Sequence, residues 1–178
     1  MDDTVKVAGI KAVFLDIDGV LTDGTVLIDS SGGESKRISF DDIDAVFRIK
    51  RAGIAIGFLT GESTPFCDYV QRRFEPEFFE RGCKDKVAAV KTFLSSWRLT
   101  IEQVCFVGDS LHDVPLLEYL PNSFVPMDVS DEVKVAARHV LPARRGEGVV
   151  RALASILVPI SGGKSGTGSR RPPRARRK

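Results

Sequence analysis

The stretch that decides the fold covers residues 13–24 and reads VFLDIDGVLTDG. Its apolar start ends at Asp16, and Asp18 follows two positions later. Side chains two positions apart at the end of a strand point the same way, so we expect both carboxylates to face one cavity. Two carboxylates placed so close together repel each other. The pattern therefore indicates a site in which a cation compensates the negative charge.

Outside this stretch, short apolar runs alternate with helical patterns. Runs rich in β-branched and aromatic residues predict buried strands, at residues 11–16, 54–61 and 104–109 and, more weakly, at 77–82 and 122–127. Apolar residues three or four apart predict helices, over residues 64–74, 84–97, 113–120, 131–138 and 147–157. This alternation predicts an α/β fold with a doubly wound, Rossmann-like parallel sheet. No internal repeat or second domain is indicated.

Residues 24–40 interrupt the alternation. Two short β-type runs flank the sequence DSSGGE, and Gly32-Gly33 between them is typical of a hairpin turn. We expect this hairpin to project beside Asp16 and Asp18, because it follows directly after the first strand.

The three clearest strands all end in polar residues, namely Asp16 with Asp18, Thr60-Gly61 and Gly108-Asp109. Ligands bind at the carboxyl ends of strands in an open parallel sheet, so we expect these residues to converge. Asp113 adds a fourth carboxylate. Mg²⁺ prefers such oxygen ligands, often together with phosphate. Carboxylates, a hydroxyl and a nearby lysine predict a phosphoryl-transfer site.

The composition is that of an ordinary globular protein, with 43% hydrophobic and 28% charged residues. The sequence contains no run of 18 or more apolar residues, so no membrane span is expected. Its N-terminus lacks the pattern of a signal peptide. Cys67, Cys83 and Cys105 have no metal-type spacing and are interpreted as thiols in a reducing cytosol. A cytoplasmic protein is expected.

Charge divides the chain into two parts. Residues 161–178 carry seven basic and no acidic residues, whereas residues 1–160 hold 19 basic and 24 acidic groups, a net charge of −5. We expect a single domain over residues 1–160 and a disordered basic tail over 161–178. The tail could contact nucleic acid or another polyanion loosely. We favour a solubilising tail without a dedicated partner, since the body is acidic.

The motifs resemble those of the haloacid dehalogenase superfamily of phosphohydrolases. Its D-x-D-G motif corresponds to residues 16–19, its Thr or Ser to Thr60, and its G-D-x-x-x-D motif to residues 108–113. A lysine lies between the last two, and the resemblance covers roughly residues 9–158. It implies that Asp16 is the nucleophile and a ligand of Mg²⁺.

The resemblance also implies roles for the remaining motif residues. Asp18 would act as acid and then base, and its backbone carbonyl would bind the metal. Asp109 would be the third metal ligand, with Asp113 in a supporting position. Thr60 and Gly61 would bind the phosphate.

The lysine of the third motif has two candidates. Lys86 is preferred, because it matches the lysine of the DK sequence in the family's capless subgroup, and it would steady the charge of the phosphate and the nucleophile. Lys84 is its rival two residues earlier. Alternatives also remain for Arg144 and Arg145, which could grip a substrate carboxylate or lie in a solvated loop before a helix.

A narrower resemblance is to phosphatases of 3-deoxy-D-manno-octulosonate 8-phosphate and of nonulosonate 9-phosphates. It rests on residues 16–40, on KDKVAAV at 84–90 and on RRGEGVVRAL at 144–153. The sequence departs from the subgroup at two places. DDIDAVF stands where the subgroup has a glycine-bearing RDG stretch, and in the G-D-x-x-x-D motif Ser110 and His112 replace an Asp and an Asn.

This subgroup implies a phosphorylated sugar acid as substrate, no cap domain, and a homotetramer in which neighbouring subunits complete the site. The short interval between Thr60 and Gly82 agrees with the absence of a cap. An alternative is a non-catalytic oligomerisation module, related to a domain that is fused to cytidylyl-sugar synthetases. The complete set of motif residues argues against that alternative.

Overall fold

The computed structural model describes residues 9–159, so the basic tail predicted beyond residue 160 lies outside the described residues. The strands are β1 (Ala12–Leu15), β2 (Leu27–Ile28), β3 (Glu34–Ser35), β4 (Ala55–Leu59), β5 (Phe78–Glu80), β6 (Val104–Val107), β7 (Ser123–Pro126) and β8 (His139–Leu141). The helices are α1 (Phe40–Arg51), α2 (Pro65–Phe74), α3 (Lys86–Trp97), α4 (Val114–Tyr119), α5 (Asp131–Ala136) and α6 (Val149–Leu157).

Six strands form one parallel sheet in the order β5-β4-β1-β6-β7-β8. The first strand therefore lies between β4 and β6, and Leu15 pairs with Phe58 on one side and Val107 on the other. The predicted doubly wound α/β fold is confirmed. No segment between residues 9 and 159 forms a cap domain, and none of the helices described there could cross a membrane.

Successive residues of β1 supply the two faces of the sheet. Val13 and Leu15 pack into the core shared with α1, α2 and α6, whereas Phe14 packs into the core shared with α3 and α4. The Phe14 ring meets Phe93 edge to face, with ring centroids 4.9 Å apart. A side chain at Gly57 would collide with the ring of Phe14 at 2.5 Å. The first strand is thus buried on both faces, which holds the residues at its end in place.

The predicted hairpin is present, with β2 and β3 paired antiparallel. Its turn is held by Asp29, whose Oδ1 accepts hydrogen bonds from the backbone N–H groups of Ser31 and Gly33 at 2.8 Å each. Gly32 adopts a φ of +84°, as the turn requires. Strand β2 carries two exposed apolar residues, Leu27 at 74% and Ile28 at 57% exposure.

Two of these strands and α-helices are not among those that the sequence predicts. Helix α1 begins at Phe40, directly before the stretch DDIDAVF that departs from the RDG pattern, and contains that stretch. Its buried residues Ile43, Val46 and Ile49 are three apart, which is a helical signal that is present in the sequence. Strand β8 has only three residues and lies at the edge of the sheet, so it carries little pattern.

Candidate active site

The carboxyl edge of the sheet carries the predicted site residues. Strands β4, β1 and β6 are neighbours, and they end immediately before Thr60, Asp16 and Gly108. A cavity of about 380 Å³ opens at this edge. Its lining includes six of the predicted residues, which are Asp16, Asp18, Thr60, Gly61, Lys86 and Asp109.

A buried lysine links two of the carboxylates. Lys86 Nζ lies 3.1 Å from Asp16 Oδ1 and 2.6 Å from Asp113 Oδ1. Burial, followed by the charge of Asp113, raises the pKa of Asp16 to about 8 although Lys86 opposes this. Burial alone would lower the pKa of Lys86, but the two carboxylates raise it above its usual value. The lysine therefore stays charged and partly neutralises the cluster.

Asp113 is fully buried and is occupied by contacts within the protein. Its Oδ2 accepts hydrogen bonds from the backbone N–H groups of Asp109 and Ser110, both at 3.0 Å, and from Ser110 Oγ at 2.9 Å. A side chain at Gly108 would approach Asp113 to 2.6 Å. Asp113 thus fixes the loop that carries Asp109, and its supporting role stays a prediction.

Asp109 approaches the loop after β1 very closely. Gly19 has a φ of +86°, and a Cβ atom there would collide with the Asp109 carboxylate. Burial, followed by the charge of Asp113, raises the pKa of Asp109 to about 6, whereas Arg145 lowers it. Because Gly19 of the D-x-D-G motif has no side chain, the carboxylate of Asp109, in the loop after β6, can lie against it.

Two buried carboxylates and one half-buried carboxylate suit a hard cation. Asp16, Asp109 and Asp113 each offer one oxygen, and these oxygens lie within 4.8 Å of one another. Because Asp113 is already occupied by four donors, Asp16 and Asp109 are the side chains with oxygens to offer. Burial, followed by the charge of Asp113, raises the pKa values of both groups, and a cation would compensate both effects. The residues present therefore fit Mg²⁺.

Asp18 is more open, with 30% of its side chain exposed. Its Oδ1 accepts hydrogen bonds from Lys36 Nζ at 2.7 Å and from Thr22 Oγ1 at 3.3 Å. Lys36 comes from the hairpin and is not among the predicted site residues. The only signal in the sequence is that the hairpin follows the D-x-D-G motif, which does not indicate which hairpin side chain turns inward.

The remaining predicted residues divide into those at the cavity and those away from it. Thr60 is buried, and its Oγ1 accepts the N–H of Glu62 at 3.1 Å. Lys84 also lines the cavity, but Lys86 is the lysine within the carboxylate cluster. Arg144 is exposed, with its Nε 3.9 Å from an Asp128 oxygen.

Arg145 lies closer to the carboxylates than Arg144 does. Its Nη1 is 3.5 Å from Asp109 Oδ2, and its backbone N–H donates to Asp128 Oδ1 at 3.0 Å. The guanidinium is therefore engaged by side chains of the protein itself, although neither arginine belongs to the lining of the cavity.

Comparison with known proteins confirms the resemblance to haloacid dehalogenase phosphatases. Residues 78–153 match the model of the haloacid dehalogenase-like hydrolase family. The 3-deoxy-D-manno-octulosonate 8-phosphate phosphatase KdsC of Haemophilus influenzae is 29% identical over 163 residues, which are 90% of this chain and 89% of the relative. The KdsC protein of Escherichia coli K12 is 26% identical over 161 residues, 90% of this chain and 86% of the relative.

Solved structures share the fold. The cobalt-bound form of the deoxy-D-mannose-octulosonate 8-phosphate phosphatase of Haemophilus influenzae aligns with a TM-score of 0.80 and 29% identity. The alignment covers 85% of this chain and 89% of that one. The enzyme of Moraxella catarrhalis, in complex with magnesium, phosphate and KDO, aligns with a TM-score of 0.78 over 83% of this chain and 84% of that one. At 22% identity, this second likeness concerns the fold alone.

Proposed function

We propose that this chain, a phosphatase of the haloacid dehalogenase type, hydrolyses an acidic sugar phosphate, either 3-deoxy-D-manno-octulosonate 8-phosphate or a nonulosonate 9-phosphate. One observation carries the proposal. Asp16 stands at the end of the central strand, beside the Lys86 ammonium and the Asp109 carboxylate. Relatives that align with about nine tenths of the chain are phosphatases of the octulosonate phosphate, which supports this substrate class.

The proposed reaction has two steps. A carboxylate oxygen of Asp16 attacks phosphorus, and the bond between phosphorus and the sugar oxygen breaks while Asp18 donates a proton to that oxygen. Asp18 then takes a proton from water, whose oxygen attacks the aspartyl phosphate. Inorganic phosphate leaves and Asp16 returns as a carboxylate.

Mg²⁺ is the proposed cofactor. The side chains of Asp16 and Asp109 and the backbone carbonyl of Asp18 would hold it, and Asp113 would support them from behind. The ion neutralises charge on the phosphate when it is bound. The cobalt-bound form of the similar phosphatase from Haemophilus influenzae supports a metal site in this fold.

The other groups of the cavity would bind the phosphate. Thr60 and Gly61 lie at the end of β4, next to the nucleophile, and Lys86 supplies a positive charge. Arg144 and Arg145 are the proposed ligands of a substrate carboxylate. Arg144 is exposed, and Arg145 lies beside the Asp109 carboxylate.

A homotetramer is the proposed assembly, and the cytoplasm is the proposed compartment. The exposed apolar residues of the hairpin and Phe40, which is 78% exposed, support contacts with further copies of the chain. The three cysteines are free, as is usual in a reducing compartment. Light scattering tests the assembly, and a fully active monomer would contradict it.

The direct test is a screen of phosphorylated eight- and nine-carbon acidic sugars against other metabolite phosphates. Phosphate release should be highest for one of the acidic sugars, should stop with EDTA and should return with Mg²⁺. Asp16→Asn should abolish turnover and remain folded, because an amide cannot attack phosphorus. Failure of the wild-type protein to hydrolyse even p-nitrophenyl phosphate with Mg²⁺ would favour the oligomerisation module instead.

A further inference from the structure

Arg145 places a positive charge at the candidate cation site. Its Nη1 lies 3.5 Å from Asp109 Oδ2, and only 8% of the Asp109 side chain is exposed. Asp109 therefore has a positive partner from its own chain, in addition to any cation that it could bind. The contact joins the loop before α6 to the loop after β6, and these loops are far apart in the sequence.

The surrounding structure holds Arg145 at this position. Asp128 accepts the backbone N–H at 3.0 Å, and its Oδ2 lies 3.7 Å from Arg145 Nε. This Nε atom is buried and has no hydrogen-bond partner within residues 9–159. The next residue, Gly146, has a φ of +68°, and a Cβ atom there would lie 2.7 Å from the backbone of Asp23. The loop that carries Arg145 therefore packs closely against the loop that follows Asp18.

We propose that Arg145 is an internal counter-ion that competes with the divalent cation for Asp109 and thereby weakens cation binding. The proposal rests on the cation site of the proposed function. A cation bound by Asp109 has to displace the guanidinium or accept a positive charge close by, and both alternatives cost free energy. In addition, the guanidinium already compensates part of the negative charge of the carboxylate that the cation needs.

Arg144 provides a matched control. It is the preceding residue and has the same charge, and its Nε lies 3.9 Å from Asp128 Oδ2. Its side chain is 62% exposed, against 39% for Arg145. Replacing either arginine removes one positive charge from the same loop, but of the two only Arg145 contacts Asp109 within residues 9–159.

Calorimetric titration of Mg²⁺ into the cation-free protein tests the proposal. At pH 8, Arg145→Met should bind Mg²⁺ about tenfold more tightly than wild type, the size expected for one charge acting on a divalent ion a few ångströms away in a water-like dielectric. Arg144→Met should stay within about twofold, because solvent screens exposed charges. Arg145→Lys keeps the charge and should stay near wild type.

The outcomes separate the two proposals. Equal or weaker Mg²⁺ binding by Arg145→Met would overturn the counter-ion, and so would equally tight binding by Arg145→Lys and Arg145→Met. Absence of binding by the wild-type protein would instead refute the cation site itself. If Arg145→Met fails to fold by circular dichroism, Arg145→Gln takes its place with the same expected direction.

Discussion

Lys36 Nζ lies 2.7 Å from Asp18 Oδ1, and the lysine side chain is only 8% exposed. Thr22 Oγ1 contacts the same oxygen at 3.3 Å. Both hydrogen bonds to the Asp18 side chain within residues 9–159 therefore end on Oδ1. Lys36 and Thr22 thus orient the proposed acid through Oδ1, and Oδ2 accepts no hydrogen bond from residues 9–159.

Lys36→Met should impair protonation of the leaving group, because Asp18 loses the contact that orients it. We expect kcat/KM for an alkyl phosphate to fall by about tenfold to hundredfold. The value for p-nitrophenyl phosphate should change much less, since its leaving group departs without a proton. Arg37→Met is the control, because Arg37 is 76% exposed and pairs with Asp23 instead. Equal losses for both substrates would contradict the positioning role.

Gly19→Ala should displace Asp109, since the new methyl group would occupy the space of its carboxylate. We expect Mg²⁺ affinity to fall by about tenfold to hundredfold, the effect typical of lost support for a metal ligand. Gly32→Ala is the control, because Gly32 has a similar φ of +84° but a Cβ atom there would meet no atom of residues 9–159 within 4 Å. It should lose about 1 kcal/mol of stability and keep its Mg²⁺ affinity. Calorimetric titration of both variants measures the Mg²⁺ affinity, and urea denaturation measures the stability of Gly32→Ala.

Asp42→Ala should destabilise the fold. The buried Asp42 carboxylate accepts the backbone N–H groups of Gly148 and Arg151, both at 3.0 Å, at the start of α6. Its removal leaves those donors unsatisfied, so we expect a loss of about 2 kcal/mol in the free energy of unfolding. Asp41→Ala should change it by less than about 0.5 kcal/mol, because Asp41 is 67% exposed. Urea denaturation of the two variants distinguishes these outcomes.

The cation-free protein should lose stability as the pH rises. Burial raises the pKa of Asp16 to about 8 and that of Asp109 to about 6, both from 3.8. Above about pH 4 the folded state holds protons that the unfolded chain has released, so the free energy of unfolding falls through pH 6 and on to pH 8. Urea denaturation in EDTA should show this fall between about pH 5 and 8.5, and Asp16→Asn should reduce its slope. A free energy of unfolding that rises over this pH range would contradict the raised pKa values of Asp16 and Asp109.

The strands were predictable because they are buried on both faces. Residues 11–16, 54–61 and 104–109 contain β1, β4 and β6, since a strand covered by helices on both sides is apolar throughout. The polar residues that end these strands could be assigned to one edge by the general rule for parallel sheets. Helix α1 is not predicted although its apolar spacing is present, because its polar first turn coincides with the departure from the RDG pattern.

Contacts between segments that are distant in the sequence could not be predicted, both at the site and elsewhere in the fold. Asp42 and Gly148 are separated by 106 residues, and no local pattern pairs a carboxylate in one helix with the first turn of another. Lys36 and Arg145 reach Asp18 and Asp109 through a hairpin and a loop. The directions of those segments depend on glycine conformations and tertiary packing, which the order of residue types does not reveal.

The pairing of β1 with β6 has a consequence for ion size. Asp16 donates its backbone N–H to Val107 at 2.9 Å, so the two strands remain hydrogen-bonded up to Asp16, one of the two proposed cation ligands. The distance between their main chains is thus the inter-strand spacing of a β-sheet, about 4.8 Å. The sheet therefore fixes the main chain on the β1 side, whereas Asp109 lies on a loop that Asp113 holds through hydrogen bonds to the backbone N–H groups of Asp109 and Ser110. A larger ion such as Ca²⁺, with longer bonds and more ligands, has to move this loop or its side chains, so discrimination between cations of different radius depends on how firmly Asp113 holds the loop against β1.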